Sequence, residues 1–333
     1  MEIPFDLLYT VASFYTKPRM KLLDWIPEDK LKWSYLCLNP NAIQLLEIIL
    51  QHDPDNPLAV IDWMYLSKNP NAIHILEKHF NKINWEYLSK NPNAIHLLEK
   101  HPDKIDWNDL SENPNAIHLL EIVLQHELDN PLAVPLVEID WKNLSLNPNA
   151  IHLLEKYPDK IDWMYLSQNP NAIHLLEKVL QHDPKKINWW NLSGNPNAIH
   201  ILEKHLDKIS WSALSENPNA IHLLEKYPEK INWHVLSANP NAIHILEKHP
   251  DKIIWGSLSS NSKAIHLLEK YPEKINWEYL SMNTDKSFAL PLLEKHPDKI
   301  NWENFSENPS IFEIDIKQMK IELTKRAKNI DIY

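Results

Sequence analysis

INWEYLSKNPNAIHLLEKHPDK, residues 83–104, is the stretch that decides the fold, because close copies of it fill most of the chain. The copies are easiest to count by their tryptophans, which lie 22 residues apart in most cases and 25 to 34 apart where residues have been added. Twelve copies of a 22-residue unit, with no flexible linker between them, indicate a solenoid in which each unit stacks on the next. The tryptophans are Trp33, Trp63, Trp85, Trp107, Trp141, Trp163, Trp189, Trp211, Trp233, Trp255, Trp277 and Trp302.

Each unit has the pattern of two short helices. Asp or Asn precedes the tryptophan in most units, as at Asn84, and is a good N-cap for a first helix in which W-x-x-L places two apolar side chains on one face. The asparagine that begins N-P-N predicts a second N-cap, with the proline at the first helical position. In this second helix the apolar residues of A-I-H-L-L (94–98) and the ring at 101 fall within an arc of about 160°, which predicts one buried face.

Helices this short are not stable alone and must stack on their neighbours. We therefore predict an all-α fold, a right-handed α-solenoid of about twelve two-helix repeats at residues 33–310. The atypical sequence on either side predicts distinct caps, an N-terminal cap at 1–32 and a C-terminal cap helix at 311–333. At about 8–10 Å per stacked repeat, the solenoid is expected to be a rod or superhelix on the order of 100 Å long.

Composition narrows the class of protein. Two glycines against 25 prolines do not suit a sheet-rich or nucleotide-loop protein. The single cysteine, Cys37, cannot form an intramolecular disulfide and favours a reducing compartment. The N-terminus lacks the pattern of a signal peptide and no apolar run is long enough to span a bilayer, so we expect a soluble intracellular protein. The formal charge, 34 − 45 = −11, has the wrong sign for broad contact with nucleic-acid phosphates or anionic lipid.

The repeat, in which W-x-x-L-S precedes NPNAIHLLEK or NPNAIHILEK, resembles the short NPNAIHLLE-type tandem repeats of proteins from giant DNA viruses of amoebae and related protists. The resemblance covers residues 33–310 and implies a viral origin, with a location in the host cytoplasm or in association with the virion. It implies no activity. The chain departs from the pattern at NSKAIHLLEK (261–270), NTDKSFALPLLEK (283–295) and NPSIF (308–312), where the units are expected to pack differently.

A column of histidines in the second helix raises the question of a metal site. Equivalent side chains of stacked helices lie about 9–10 Å apart, whereas zinc ligands lie about 2 Å from the metal, so one ion cannot be shared along the column. We predict that these histidines face water or form hydrogen bonds between repeats, and we predict no metal and no cofactor. The histidines are His74, His96, His118, His152, His174, His200, His222, His244 and His266, with Gln44 in the first unit.

A second column alternates His with Tyr at the end of the same helix, which fits a packing ring better than a metal ligand. Its members are His79, His101, Tyr157, His205, Tyr227, His249, Tyr271 and His296. Glu–Lys pairs such as Glu99 and Lys100 suit a solvated face. Because no nucleophile motif or glycine-rich phosphate loop accompanies these charges, we predict that the protein is not an enzyme.

The residues that vary most between the copies are the two between Trp and Leu of the first helix. The pattern that buries Trp and Leu places this pair on the exposed side, so the pairs are expected to form a strip along the solenoid. Free variation of surface positions explains the strip without a function. The alternative is partner binding, which the aromatic residues favour, since Tyr and Trp are enriched at interface hot spots. The candidate partner-binding residues are Tyr35, Met64, Tyr65, Glu86, Tyr87, Asn108, Asp109, Lys142, Asn143, Met164, Tyr165, Trp190, Asn191, His234, Glu278 and Tyr279.

Three longer repeats carry related insertions, IILQHDPDNPLAV (48–60), IVLQHELDNPLAVPLVE (122–138) and VLQHDPKK (179–186). Each is expected to lengthen the second helix by about one turn and then to loop out along one edge. Segmental duplication explains their likeness without a function, and a docking edge is the alternative.

Two classes of function remain. The first is a non-enzymatic scaffold that binds a protein partner, from host or virus, along the variable strip. The second is a reader of single-stranded nucleic acid, by analogy with repeat proteins that recognise one base per unit. A reader of twelve bases needs a basic track, and the single Lys column has an equal Glu column beside it. The scaffold is therefore the preferred prediction, nucleic-acid binding is the alternative, and membrane binding is not expected.

Overall fold

The structure, a computed structural model, describes residues 18–52, 60–129, 137–319 and 321. Within these residues nearly every repeat contains two short helices, so the predicted all-α repeat solenoid is confirmed. The repeats are numbered 1 to 12 by their tryptophans. The first helices are Trp33–Leu36, Trp63–Lys68, Trp85–Ser89, Trp107–Leu110, Trp141–Leu146, Trp163–Leu166, Trp189–Gly194, Trp211–Glu216, Trp233–Leu236, Trp255–Ser259, Trp277–Leu280 and Trp302–Glu307. The second helices are Ile43–His52, Ile73–Lys78, Ile95–Lys100, Ile117–Asp129, Ile151–Lys156, Ile173–His182, Ile199–Leu202, Ile221–Lys226, Ile243–Lys248, Ile265–Lys270 and Ala289–Lys295.

Short 3-10 turns lead from one repeat to the next. They follow the second helix because the proline that usually begins the turn cannot continue an α-helix. The turns are Phe80–Lys82, Pro102–Lys104, Pro158–Lys160, Pro184–Lys186, Leu206–Lys208, Pro228–Lys230, Pro250–Lys252, Pro272–Lys274 and Pro297–Lys299, with Glu28–Lys30 and Pro309–Ile311 at the two ends.

The N-caps predicted for the first helices are confirmed in most repeats. In repeat 3 the Asn84 side chain accepts the Tyr87 N–H at 3.0 Å, and in repeat 6 the Asp162 side chain accepts those of Met164 and Tyr165. Each cap satisfies backbone donors that the helix itself leaves unpaired. Repeat 10 has an apolar residue, Ile254, at this position and therefore has no side-chain cap.

The turn before the second helix differs from the prediction. In repeat 3 the helix begins at Ile95, with Ala94 at the N-cap, three residues later than predicted. The Asn91 carboxamide oxygen accepts the Asn93 N–H at 3.0 Å inside the turn, and its Nδ2 donates to the preceding repeat. The predicted roles of this asparagine as N-cap and of its proline as first helical residue are therefore wrong. An N-cap uses only the oxygen of the carboxamide, whereas this turn uses both ends.

The core consists of small and branched apolar side chains shared between repeats. Ala94, Leu97 and Leu98 are at most 4% exposed, which confirms the predicted buried face of the second helix. The tryptophans are half-buried in most repeats and pack on the His or Tyr ring that ends the second helix of the same repeat. The ring centroids are 5.0–5.6 Å apart in eight repeats, which is the packing role predicted for that column.

Repeat 1 packs directly on repeat 12, and this contact closes the solenoid into a ring. The Asn39 Nδ2 donates to the carbonyl oxygens of Ser306 and Asn308, both at 3.0 Å, and the Lys32 N–H donates to Ser306 Oγ at 2.9 Å. The same bonds join consecutive repeats elsewhere. The expected rod or superhelix on the order of 100 Å long is therefore wrong, because the turn per repeat brings twelve repeats full circle.

Strands on either side of this junction join the two ends of the chain. Strand β1, Met20–Leu22, pairs antiparallel with strand β2, Phe312–Ile314, with Lys21 opposite Glu313. The Trp25 ring packs on the ring of Phe305 at 5.8 Å. These segments belong to the two caps predicted from the sequence, 1–32 and 311–333. Because residues 1–17 and 322–333 lie outside the described residues, the cap assignment stays a prediction, as does the right-handed sense of the solenoid.

The first helices form the inner layer of the ring. At most junctions, including that of repeats 1 and 12, the first helices of neighbouring repeats have several Cα atoms within 8 Å of one another, whereas neighbouring second helices approach less closely. The layer with the closer spacing must have the shorter circumference. Twelve helices about 8–10 Å apart trace a circle about 35 Å across, which leaves a central opening of about 25 Å between helices about 5 Å in radius.

Candidate interaction surface

The first variable position, directly after the tryptophan, faces the central opening in most repeats. The opposite face of the same helix carries the buried leucine and packs on the second helix, so this position points away from the core. Among the candidate residues at this position, Met64 is half-buried and the others are exposed. The exposed ones are Glu86, Asn108, Lys142, Met164, Trp190, His234 and Glu278.

The second variable position lies in the contact between repeats, and the expectation that it is exposed is wrong for most of its residues. The Asn191 Nδ2 donates to the Met164 carbonyl of the preceding repeat at 2.7 Å, and the rings of Tyr35 and Tyr65 are 6.5 Å apart. The side chain at this position points along the ring towards the neighbouring repeat, which explains its burial. Tyr35, Tyr65, Tyr87, Asp109, Asn143 and Tyr165 are half-buried, Asn191 is buried, and Tyr279 is exposed.

Four large apolar side chains on the first helices or directly after them are exposed. Trp190 is 61% exposed, Met164 52%, Met282 48% and Tyr279 44%. Met164 and Trp190 belong to neighbouring repeats, 6 and 7, and Tyr279 and Met282 to repeat 11. Met282 was not among the residues predicted from the sequence. The variability of the residue before N-P-N could have identified it. That residue follows the residue after the tryptophan by four positions and therefore lies on the same side of the helix.

A charged cluster lies between repeats 3 and 4 on the same layer. Lys90 Nζ is 3.0 Å from Asp109 Oδ1 and 3.4 Å from Glu112 Oε2. Burial raises the pKa of the Asp109 carboxyl, and the hydrogen bond from Lys90 only partly opposes this effect. Burial lowers the pKa of Lys90, but the two carboxylates outweigh it, so that pKa is raised. Asp109 Oδ2 is buried without a hydrogen-bond partner.

The histidine column forms a ladder of hydrogen bonds on the second helices, as predicted. Each of the nine histidines approaches the glutamate of the preceding repeat, with Nε2–Oε1 distances of 2.6–3.0 Å. Both partners are mostly about half exposed, so each pair contributes little to stability. The ladder stops at the junction of the ends, where Gln44 accepts the Met20 N–H at 3.3 Å instead.

Cys37 occupies the position that other repeats fill with serine. Its thiol donates to the Trp33 carbonyl at 3.2 Å, as the serine hydroxyls do in their own repeats. Burial raises the pKa of the thiol to about 12. A buried thiol with so high a pKa is inert at neutral pH and has a packing role.

The insertions lengthen the second helices of repeats 1, 4 and 6, as predicted. These helices have 10, 13 and 10 residues, against six in a typical repeat. They expose Ile48 and Ile122, at 54% and 64%. The loops expected after the helices of repeats 1 and 4 fall at 53–59 and 130–136, outside the described residues.

In the described part of the chain no three His, Cys, Asp or Glu side chains are grouped so that they could hold a metal ion. None of the helices described there combines the length and the apolar character needed to cross a bilayer. Comparisons with protein-family models, curated proteins and solved structures found no match. The resemblance to giant-virus repeats therefore stays an expectation.

Proposed function

We propose that this protein is a non-enzymatic scaffold, a ring of helical repeats that binds a protein partner along its inner layer. The observation that carries the proposal is the exposure of Trp190 and Met164, 61% and 52%, on neighbouring repeats whose frame is otherwise nearly identical. An exposed indole gains much from burial, since apolar surface contributes about 25 cal/mol per Å² removed from water. Tryptophan is also the residue type most enriched among interface hot spots.

The partner is inferred to present apolar side chains to this layer. Exposed glutamates at the same helical position, Glu86 and Glu278, outnumber the exposed Lys142. Carboxylates at the rim of an apolar contact favour partners with basic residues, mainly through the rate of association. Our proposal keeps the preferred sequence prediction but confines the binding residues to the exposed positions, because the half-buried tyrosines hold repeats together.

The proposal can be tested by capturing a partner with the tagged full-length chain and repeating the capture with Met164→Ser, Trp190→Ser and Tyr279→Ser combined. Loss of a hot-spot tryptophan is expected to weaken binding about tenfold or more. A control variant, Ile48→Ser with Ile122→Ser, removes similarly exposed apolar side chains from the second helices and is expected to bind normally. Equal binding by the triple variant, with an unchanged helical spectrum, would overturn the proposal.

A second measurement tests the alternative, binding of single-stranded nucleic acid. Binding of mixed single-stranded RNA and DNA is followed by fluorescence anisotropy at low salt and then at increasing salt. We expect no saturable binding at micromolar protein, because the net charge of −11 opposes contact with phosphates. Tight binding that falls steeply with salt would replace the scaffold by the nucleic-acid reader.

A further inference from the structure

Repeat 6 lacks a side chain that eight other repeats place against their tryptophan. In those repeats a His or Tyr ring from the same repeat packs on the indole at 5.0–5.6 Å. In repeat 6 the insertion continues the second helix through the position of that ring, so that Val179 stands where repeats of regular length have His or Tyr. The indole of Trp163 therefore has no ring partner from its own repeat.

A cavity of about 470 Å³ lies at the place of the missing ring. In repeat 3 the ring of His101 sits between Phe80, at 4.8 Å, and Trp85, at 5.6 Å. The residues of repeat 6 that correspond to these two are Pro158 and Trp163. Both line the cavity, together with Val179, so its position matches the place of the ring.

The other walls of the cavity are mainly apolar. Leu154, Ile161 and Leu175 are its other apolar lining residues, and Trp163 offers a ring face. The polar lining residues, apart from Lys186, are Glu155, His174, Lys178, His182 and Asp183. The Lys186 ammonium lies 5.2 Å from the Trp163 ring centroid, in the place where Lys299 lies over Trp277 in repeat 11. Repeat 11 holds both that lysine and a histidine ring, so Lys186 does not fill the place of the ring.

We infer that this cavity is a binding site for a phenol ring that stacks on Trp163, supplied by a tyrosine of another polypeptide or by a free phenolic compound. A phenol ring fits next to the tryptophan elsewhere in the chain. The equivalent place in repeats 5, 8 and 10 is occupied by Tyr157, Tyr227 and Tyr271. Ring pairs at such distances contribute beyond the area they bury. The volume exceeds what a ring needs, since an enclosed apolar cavity of about 150 Å³ binds benzene, and this cavity is in addition partly open to solvent.

This site is separate from the proposed scaffold surface. None of the candidate residues of the variable strip lines the cavity, which lies at the edge where the second helices meet the 3-10 turns. Failure of the phenol site leaves the scaffold proposal unaffected, and failure of the scaffold leaves the phenol site unaffected.

The test is a titration with 4-methylphenol, followed by the indole N–H resonance of Trp163 in ¹H–¹⁵N spectra of the full chain. Loss of that resonance in Trp163→Phe assigns it. We expect a saturable shift, and we expect binding to weaken about tenfold or more in Val179→Tyr, which fills the cavity with the chain's own ring. A parallel titration with the acetylated and amidated peptide EKYPEK, which corresponds to 225–230, separates the two sources. Tighter binding of the peptide indicates a polypeptide, and equal or weaker binding indicates a free phenol.

A second variant keeps the inference testable if Val179→Tyr does not fold. Tyr227→Val removes the ring from repeat 8 and is expected to open an equivalent site, so that 4-methylphenol also shifts the Trp211 indole resonance. No shift of Trp163 in the wild-type chain, or an unchanged affinity in a folded Val179→Tyr variant, would overturn the inference.

Discussion

One side chain, the first asparagine of N-P-N, joins each repeat to the one before it. In repeat 8 the Asn217 Nδ2 donates to the carbonyls of Ser193 and Asn195, both at 3.0 Å, and its oxygen accepts the Asn219 N–H. Equivalent asparagines are buried in all twelve repeats. Buried backbone carbonyls need partners, and the carboxamide supplies a donor to two of them at once.

Replacing this asparagine is expected to be costly. Asn217→Ala leaves the buried Ser193 carbonyl unpaired and removes one of the two donors to the Asn195 carbonyl, which still accepts the Ala198 N–H. The Asn219 N–H also loses its acceptor, so the free energy of unfolding should fall by about 2–4 kcal/mol. Urea denaturation followed by circular dichroism measures the loss. The control is Asn219→Ala, because Asn219 is exposed and its side chain makes one bond, to the Pro196 carbonyl at 2.9 Å. Its loss should be about 1 kcal/mol or less. Equal losses would contradict the role given to the buried asparagine.

Asp109 is expected to lower the stability of the folded protein. Its Oδ2 is buried without a partner, and burial raises the pKa of its carboxyl. Repeats 7 and 12 have asparagine at this position, with Nδ2 donating to a carbonyl of the preceding repeat. Asp109→Asn can donate in the same way, to the carbonyl of Glu86, and should stabilise the protein by about 1 kcal/mol at neutral pH.

The pH dependence of that gain has a definite sign. A carboxyl whose pKa is raised in the folded state destabilises it above that pKa, and this cost is relieved as the pH falls through it. The gain from Asp109→Asn should therefore shrink as the pH falls towards about 4, the usual range of an aspartate. Unfolding curves of both proteins from pH 7 to 4 measure it. Asp106→Asn, at an N-cap where both residue types occur, should change little, and a constant gain at all pH values would argue against the explanation.

At the scale of the helix, the caps decide where each first helix begins. Repeat 10 has Ile254 at the N-cap, 39% exposed and without a side-chain hydrogen bond. Ile254→Asp supplies an acceptor for the unpaired N–H groups and should raise the free energy of unfolding by about 0.5–2 kcal/mol. Thermal and urea unfolding measure the change. The reverse substitution in repeat 11, Asn276→Ile, removes the acceptor of the Tyr279 N–H and should lower stability by a similar amount. The same sign in both variants would contradict the capping argument.

Much at this scale could be predicted from sequence, because short-range rules govern it. The W-x-x-L and A-I-x-L-L patterns predicted both helices and their buried faces. The exchange of His and Tyr predicted a packing role for the ring at 101, and the structure shows that its partner is Trp85. The start of the second helix could not be placed, since Asn before Pro also suits an N-cap, and only the neighbouring repeat shows that the carboxamide is used elsewhere. For the same reason the residue two after the tryptophan was predicted to be exposed. The sequence of a single helix does not show which of its faces contacts the next repeat.

At the scale of the whole molecule, the ring follows from a rotation per repeat that the sequence does not reveal. Twelve equal steps close when each turns the chain by about 360°/12 = 30°, and stacked helices tolerate a wide range of angles. Closure gives twelve interfaces where an open solenoid of twelve repeats has eleven. Repeats 1 and 12 bury each other, so neither repeat offers a free end to another copy.

Closure can be measured with a disulfide across the junction. Lys21 and Glu313 are partners in the β1–β2 pair, with Nζ 2.9 Å from Oε1. Opposite residues of antiparallel strands have Cα atoms about 4.5–5.5 Å apart, a separation that a disulfide spans. In a Cys37→Ser background, Lys21→Cys with Glu313→Cys should form an intramolecular bond on mild oxidation, seen by mass spectrometry and by faster migration on a non-reducing gel. Lys21→Cys with Glu307→Cys places the second thiol on an exposed position that is not opposite strand β1, and should stay reduced. If the Lys21→Cys and Glu313→Cys pair stays reduced, or links only separate molecules, the two strands are apart and the solenoid is open.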